Sequence, residues 1–62
     1  MSAEEFRIWQ LYMGWNNSEV ARQLHLSRGT VQKYVDSGAP LHIALAAAAL
    51  ATGLPAWHDA PH

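Results

Sequence analysis

The chain has no cysteine among its 62 residues. No disulfide framework and no thiolate-held zinc can therefore brace it. Charge is also scarce: four Lys and Arg stand against five Asp and Glu, a formal net charge of −1 at pH 7. That balance excludes a polycation that coats nucleic acid indiscriminately. Long apolar runs are missing too. The most apolar stretch, Leu41 to Leu54, is alanine-rich and shorter than the about 20 residues a membrane span needs. The opening residues after Met1, Ser-Ala-Glu-Glu-Phe, are acidic where a secretory signal would be basic. These absences lead to the expectation of a soluble, cytoplasmic protein with no membrane contact.

A single domain over residues 1–62 is expected, without repeats or linkers. A domain this small buries only about 60% of the surface its unfolded chain exposes. Its core therefore needs a supplement, and self-association is the remaining common one. Catalysis is not expected. No serine–histidine–acid arrangement can be argued from spacing, and the chain is short for a cleft. His58 and His62 are four apart, a spacing compatible with a metal on a helix, but Pro61 stands between them. No metal, cofactor or small-molecule ligand is expected.

What is present centres on Asn16 to Tyr34, which reads as two short helices joined by a tight turn. Trp15-Asn16 and Leu26-Ser27 each place an apolar residue before an N-cap residue. Val20 and Val31 then fall where a hydrophobic staple closes. Asn16 and Ser27 can each accept a hydrogen bond from an unpaired N–H at the helix start. Glu19, three residues after Asn16, gives the first start a capping-box character; Thr30 takes that place in the second. Ala21, Leu24, Leu26, Val31 and Tyr34 are the small or apolar positions that would hold the two helices together, and Ala21 suits a close crossing.

An earlier helix is expected over about Ala3 to Met13, opened by the capping box of Ser2 and Glu5 with Met1 and Phe6 at its staple positions, and closed by Gly14. Phe6, Trp9 and Met13 share one face, directed at the two-helix unit. Ile8, Leu11 and Tyr12 make a second apolar stripe. It either packs on the C-terminal segment of the same chain or also meets a partner.

The order Ala21, Leu24, Leu26, Ser27, Thr30, Val31, Tyr34 resembles the helix-turn-helix of the Cro and lambda-repressor-like family. Phe6 with Met13-Gly14-Trp15 resembles that family's first helix and its Leu-Gly corner. Gly38-Ala39-Pro40 before an Ala/Leu-rich helix resembles small phage-type members. The likeness spans roughly residues 3 to 54. It departs at two places. His25 stands where the turn often carries glycine, and a left-handed backbone there has a modest cost. Gln10 stands where an arginine is frequent, so a buried ion pair is not implied. The fold implied is all-α and lambda-repressor-like, a compact four-helix domain, or five with a short terminal turn. Its motif would cover about residues 16–36.

In such a motif the second helix lies in the major groove and its N-terminal residues reach base edges. With Val31 and Tyr34 turned inward, Arg28, Gly29, Gln32 and Lys33 face outward and match the family's base-facing positions. Arg28 suits guanine O6 and N7, Gln32 an adenine or another base edge, and Lys33 a base or a phosphate. Gly29 leaves room for a close backbone or a thymine methyl. Asn17 matches the phosphate-contacting position, and Ser18, Arg22, Ser27 and Thr30 are further phosphate candidates beside the helix N-terminus. From Val20 to Val35 the chain carries Arg22, Arg28 and Lys33 and no acid. So few cations give little electrostatic affinity per chain, which favours two copies on a near-palindrome.

Asp36, Ser37 and Gly38 end the second motif helix; Pro40 suits the start of the next and Gly53 its end. Between them lies a helix apolar almost all round. Such a helix needs burial on more than one side. Residues 40–62 are therefore expected to dimerise, through Leu41, Ile43, Ala47, Leu50, Leu54 and Trp57. The plainer alternative is that the alanines are good helix formers exposed to water.

The expected function is that of a sequence-specific double-stranded DNA-binding regulator, a Cro-like repressor of phage or mobile-element type. It would bind a palindromic operator as a homodimer. The alternative is a protein-interaction module, an inhibitor or antirepressor, that keeps the scaffold. The near-neutral charge and the apolar surface motivate it.

Overall fold

The computed structural model describes residues 1–53. The described residues form four helices and no strand: α1 (Ala3–Met13), α2 (Asn17–Leu24), α3 (Arg28–Ser37) and α4 (Leu41–Ala51). The short terminal turn considered as a fifth element lies outside the described residues.

Each of the first three helices starts where a polar side chain can take up an orphan N–H. At α1 the capping box is complete: Glu5 N donates to Ser2 Oγ at 3.1 Å and Ser2 N donates to Glu5 Oε1 at 2.7 Å. At α2 only half of it forms. Glu19 N donates to Asn16 Oδ1 at 2.8 Å. The Glu19 carboxylate does not return to Asn16; it turns along the helix to Arg22 and Gln23. At α3, Thr30 N donates to Ser27 Oγ at 3.1 Å. Such a cap contributes about 1 kcal/mol. Pro40 precedes α4 in extended conformation and offers no side-chain cap.

The ends of α1 and α2 are set by left-handed residues. Gly14 has φ 72° and His25 φ 56°. After each, an N–H reaches back along the helix: Trp15 N to Gln10 O at 3.2 Å, and Leu26 N to Ala21 O at 2.9 Å. Both are the longer of the two bonds of a Schellman motif. Thus His25 takes the conformation that the turn demands without being glycine.

The core is wholly apolar: Phe6, Trp9, Val20, Ala21, Val31, Ala39, Ile43 and Ala47 are buried. The staple valines Val20 and Val31 are fully enclosed with Phe6. Phe6 packs edge-on against Tyr34 of α3, with ring centroids 5.8 Å apart, and Trp9 meets Trp15 at 5.9 Å. Buried Ala21 leaves room for α3 against α2. The helix α1 thus packs on α3 through Phe6 and on α4 through Trp9, whose indole Nε1 donates to Ala47 O at 3.0 Å.

That bond decides which side of α4 turns inward. Sequence pattern alone gave α4 no preferred face, because nearly every side is apolar. In the fold Ile43 and Ala47 are 6% and 0% exposed. They belong to the core of their own chain, which corrects their expected place in a dimer interface. Leu50 is half-buried against the same core. Leu41 and Leu45 are instead 73% and 64% exposed. Leu54 and Trp57 lie outside the described residues. Nor does α4 cover the second stripe of α1: Ile8, Leu11 and Tyr12 stay exposed. No single helix among the described residues is long and apolar enough to cross a membrane.

Between α3 and α4 the backbone turns at Gly38, φ 95° and ψ 170°, and the two helices are bent by 99°. The chain start runs alongside this turn. Ala39 N donates to Met1 O at 2.8 Å, and Met1 N donates to Ala39 O at 3.1 Å.

Candidate nucleic-acid interface

The surface that carries the sequence-selected residues is built on α3. Ser27 fixes its start, Val31 anchors it against the core, and Tyr34 leans on Phe6. At its end, Arg7 of α1 donates from Nη1 to Val35 O at 2.7 Å. A guanidinium at a helix C-terminus satisfies a free carbonyl and suits the helix dipole. With α3 held at these points, Arg28, Gly29, Gln32 and Lys33 all lie on its exposed side. The structure thus brings the four expected base-facing residues onto one face.

Arg28 and Lys33 have no acidic partner within ion-pair distance among the described residues. Arg22 differs. Its Nη2 lies 2.7 Å from Glu19 Oε1, with further bonds to Glu19 Oε2. The acid-free window of the sequence stops one residue short of Glu19, and one helical turn brings that acid back onto Arg22. Arg22 thus stands in an exposed ion pair with Glu19, which competes with its expected role as a phosphate contact. Glu19 has its carboxyl held below the ordinary value of 4.5, first by the Gln23 side-chain hydrogen bond and then by Arg22.

The hydroxyls at the start of α3 are paired with each other. Ser27 Oγ and Thr30 Oγ1 are 2.8 Å apart and share a single hydrogen bond. Whichever hydroxyl donates, the other keeps its O–H free. Ser18 is exposed in the first turn of α2. Asn17, half-buried beside it, is engaged by two other side chains. Its Oδ1 accepts from Gln10 Nε2 at 2.7 Å and its Nδ2 donates to Gln32 Oε1 at 3.1 Å. One Nδ2 hydrogen remains for an outside acceptor.

Three participants escaped sequence reasoning. Gln10 was legible only as the absence of an arginine; its bond to Asn17 requires the packing of α1 near α2. Arg7 reaches Val35 across 28 positions of chain, for which no local signal exists. Asp36 was legible as a helix terminator, yet its Oδ1 accepts from Gln32 Nε2 at 3.1 Å. The four-residue spacing of Gln32 and Asp36 carries that pairing in the sequence.

Among the described residues no group of three His, Cys, Asp or Glu could hold a metal ion; His58 and His62 lie outside them. A shallow open groove lined by Arg7, Gln10, Leu11, Trp15 and Val35 borders the α3 terminus. No family model matches this chain, nor does any curated protein or any solved structure.

Proposed function

We propose that the protein is a sequence-specific double-stranded DNA-binding regulator of the helix-turn-helix type, similar to the Cro and lambda-repressor-like proteins, and that it represses by occupying an operator. The observation that carries this is the outer face of α3. Arg28, Gly29, Gln32 and Lys33 are exposed together on a helix whose opposite side is fixed by Val31 and Tyr34. Two of the four are cations that form no salt bridge among the described residues, one is an amide, and one is a glycine. That is a set of base-edge and phosphate donors with room for close approach. The α3 N-terminus and the free hydroxyl of the Ser27–Thr30 pair would meet backbone phosphates.

A homodimer would place one α3 in each half-site, with centres about 34–36 Å apart. The outer stripe of α4, Leu41 and Leu45 with exposed Ala48 between the turns, is the surface we assign to that contact. It carries no charge, so a second copy can face it without like-charge repulsion.

The test is fluorescence anisotropy with DNA from upstream of the protein's own gene and a scrambled duplex, each at two salt concentrations. Tight binding to the first, weakened by salt and abolished by Arg28→Ala, supports the reading. A second reading, a module that binds another protein, is favoured by the exposure of Ile8, Leu11 and Tyr12 on α1, at 58%, 81% and 73%. Under it, random-sequence selection enriches no duplex and Arg28→Ala leaves function intact.

A further inference from the structure

Building on the DNA-reading assignment, we propose that Asp36 is a positioning residue for base recognition: it fixes which way the Gln32 amide points, and so which base edge Gln32 accepts. A chain of side-chain hydrogen bonds links three helices. Gln10 Nε2 of α1 donates to Asn17 Oδ1 of α2 at 2.7 Å. Asn17 Nδ2 donates to Gln32 Oε1 of α3 at 3.1 Å. Gln32 Nε2 donates to Asp36 Oδ1 at 3.1 Å.

Three of these four side chains are amides, and an amide presents either an acceptor or a donor on turning over. Turning all three together would preserve both amide–amide bonds. Nothing within Gln10, Asn17 and Gln32 chooses between the two arrangements. Asp36 does. A carboxylate only accepts, so Gln32 must give it Nε2. Gln32 Oε1 then faces Asn17, Asn17 must answer with Nδ2, and Asn17 Oδ1 is left to Gln10. One acid at the end of α3 sets the polarity of the whole chain.

Gln32 keeps one N–H and one oxygen lone pair unused. With the amide locked, these stand in a fixed order, a donor beside an acceptor. Adenine offers the complement in the major groove, N7 as acceptor and the N6 amino group as donor. A reversed amide would set N–H against N–H and oxygen against N7. Locking thus turns Gln32 from an adaptable contact into a selective one. Water competes for these exposed bonds in the free protein, but a DNA surface excludes that water.

The experiment is random-sequence selection with the wild type, Asp36→Asn, Gln32→Ala and the double variant, with circular dichroism checking that each is folded. Asp36→Asn is nearly isosteric and offers either an amide oxygen or an amide nitrogen to Gln32. It is expected to leave most of the selected sequence unchanged and to reduce preference at one base pair about five- to tenfold. On the Gln32→Ala background the same change should have no effect at that base pair, the signature of action through Gln32. Loss of a negative charge alone would strengthen binding to all sequences equally and leave the preferences in place. An unchanged preference in Asp36→Asn, or an effect that persists without Gln32, overturns the proposal while DNA reading stands. A wild type that enriches no sequence overturns the DNA reading and the proposal with it.

Discussion

Replacing Gly38 by alanine tests the packing that orients α4 against α3. At φ 95° and ψ 170° the backbone lies in a region essentially reserved for glycine, where another residue costs about 1–3 kcal/mol. The added Cβ would also stand 2.7 Å from Met1 O, 3.1 Å from Ala3 N and 3.2 Å from Ser2 C. All three are backbone atoms, so no side chain can swing aside. Relief requires the start of the chain to lift away, which breaks the paired Met1–Ala39 bonds, each contributing about 0.5–1.5 kcal/mol. The stiffer unfolded chain returns about 0.4–1 kcal/mol. The expected loss is about 1–5 kcal/mol, centred on about 3, a large share of what a domain this size possesses. Gly14→Ala is the control. Its φ is 72°, but nothing lies within 4 Å of the added carbon, so backbone strain of about 1–2 kcal/mol less the same unfolded-chain return leaves a loss of only about 1 kcal/mol. Urea denaturation followed by tryptophan fluorescence reads both, through Trp9 and Trp15. At a slope of about 1 kcal/mol/M, Gly38→Ala should lower the midpoint by about 3 M. Equal midpoints for the two variants would refute the clash argument.

Three further outcomes are expected. His25→Gly should stabilise the protein by about 0.5–1 kcal/mol, because glycine adopts the left-handed conformation without the penalty His carries; the same urea titration reads it, and a destabilised variant would show that the His25 side chain has another task. Glu5 has its carboxyl held below its ordinary 4.5, chiefly by the Ser2 backbone hydrogen bond. Its lowered value means that its stabilisation is complete above the ordinary glutamate range and is lost as pH falls through the lowered value. The stability difference between wild type and Glu5→Gln should accordingly change only on that acid limb, and melting curves between pH 7 and about 3 should show it flat above. Leu45→Glu should leave the fold intact, since Leu45 is 64% exposed, and should shift sedimentation equilibrium toward monomer if the proposed homodimer forms; Leu41→Glu should act the same way, and two variants that self-associate like the wild type would remove α4 from the proposed contact.

Most helix boundaries were legible in the sequence because they depend on neighbours. Ser2 with Glu5, Asn16, Ser27, Gly14 and the staple valines act across one turn of chain, so α1, α2 and α3 could be bounded before any packing was known. The outward set on α3 was legible for the same reason: once Val31 and Tyr34 turn inward, helical geometry sends Arg28, Gly29, Gln32 and Lys33 to the other side. What the sequence by itself could not decide depends on distance through space. The face of α4 was undecidable from a pattern apolar all round, and it was settled by Trp9, whose ring and indole N–H claim the side bearing Ile43 and Ala47. The pairing of Arg22 with Glu19 and the half-formed cap at Asn16 came from competition for one carboxylate. The chain from Gln10 through Asn17 and Gln32 to Asp36 needed three helices to converge. Local signals fix where helices begin and end, because each is a short-range hydrogen bond or contact. Which side chains finally share a hydrogen bond is decided by packing, because the partners come from helices that only the fold brings together.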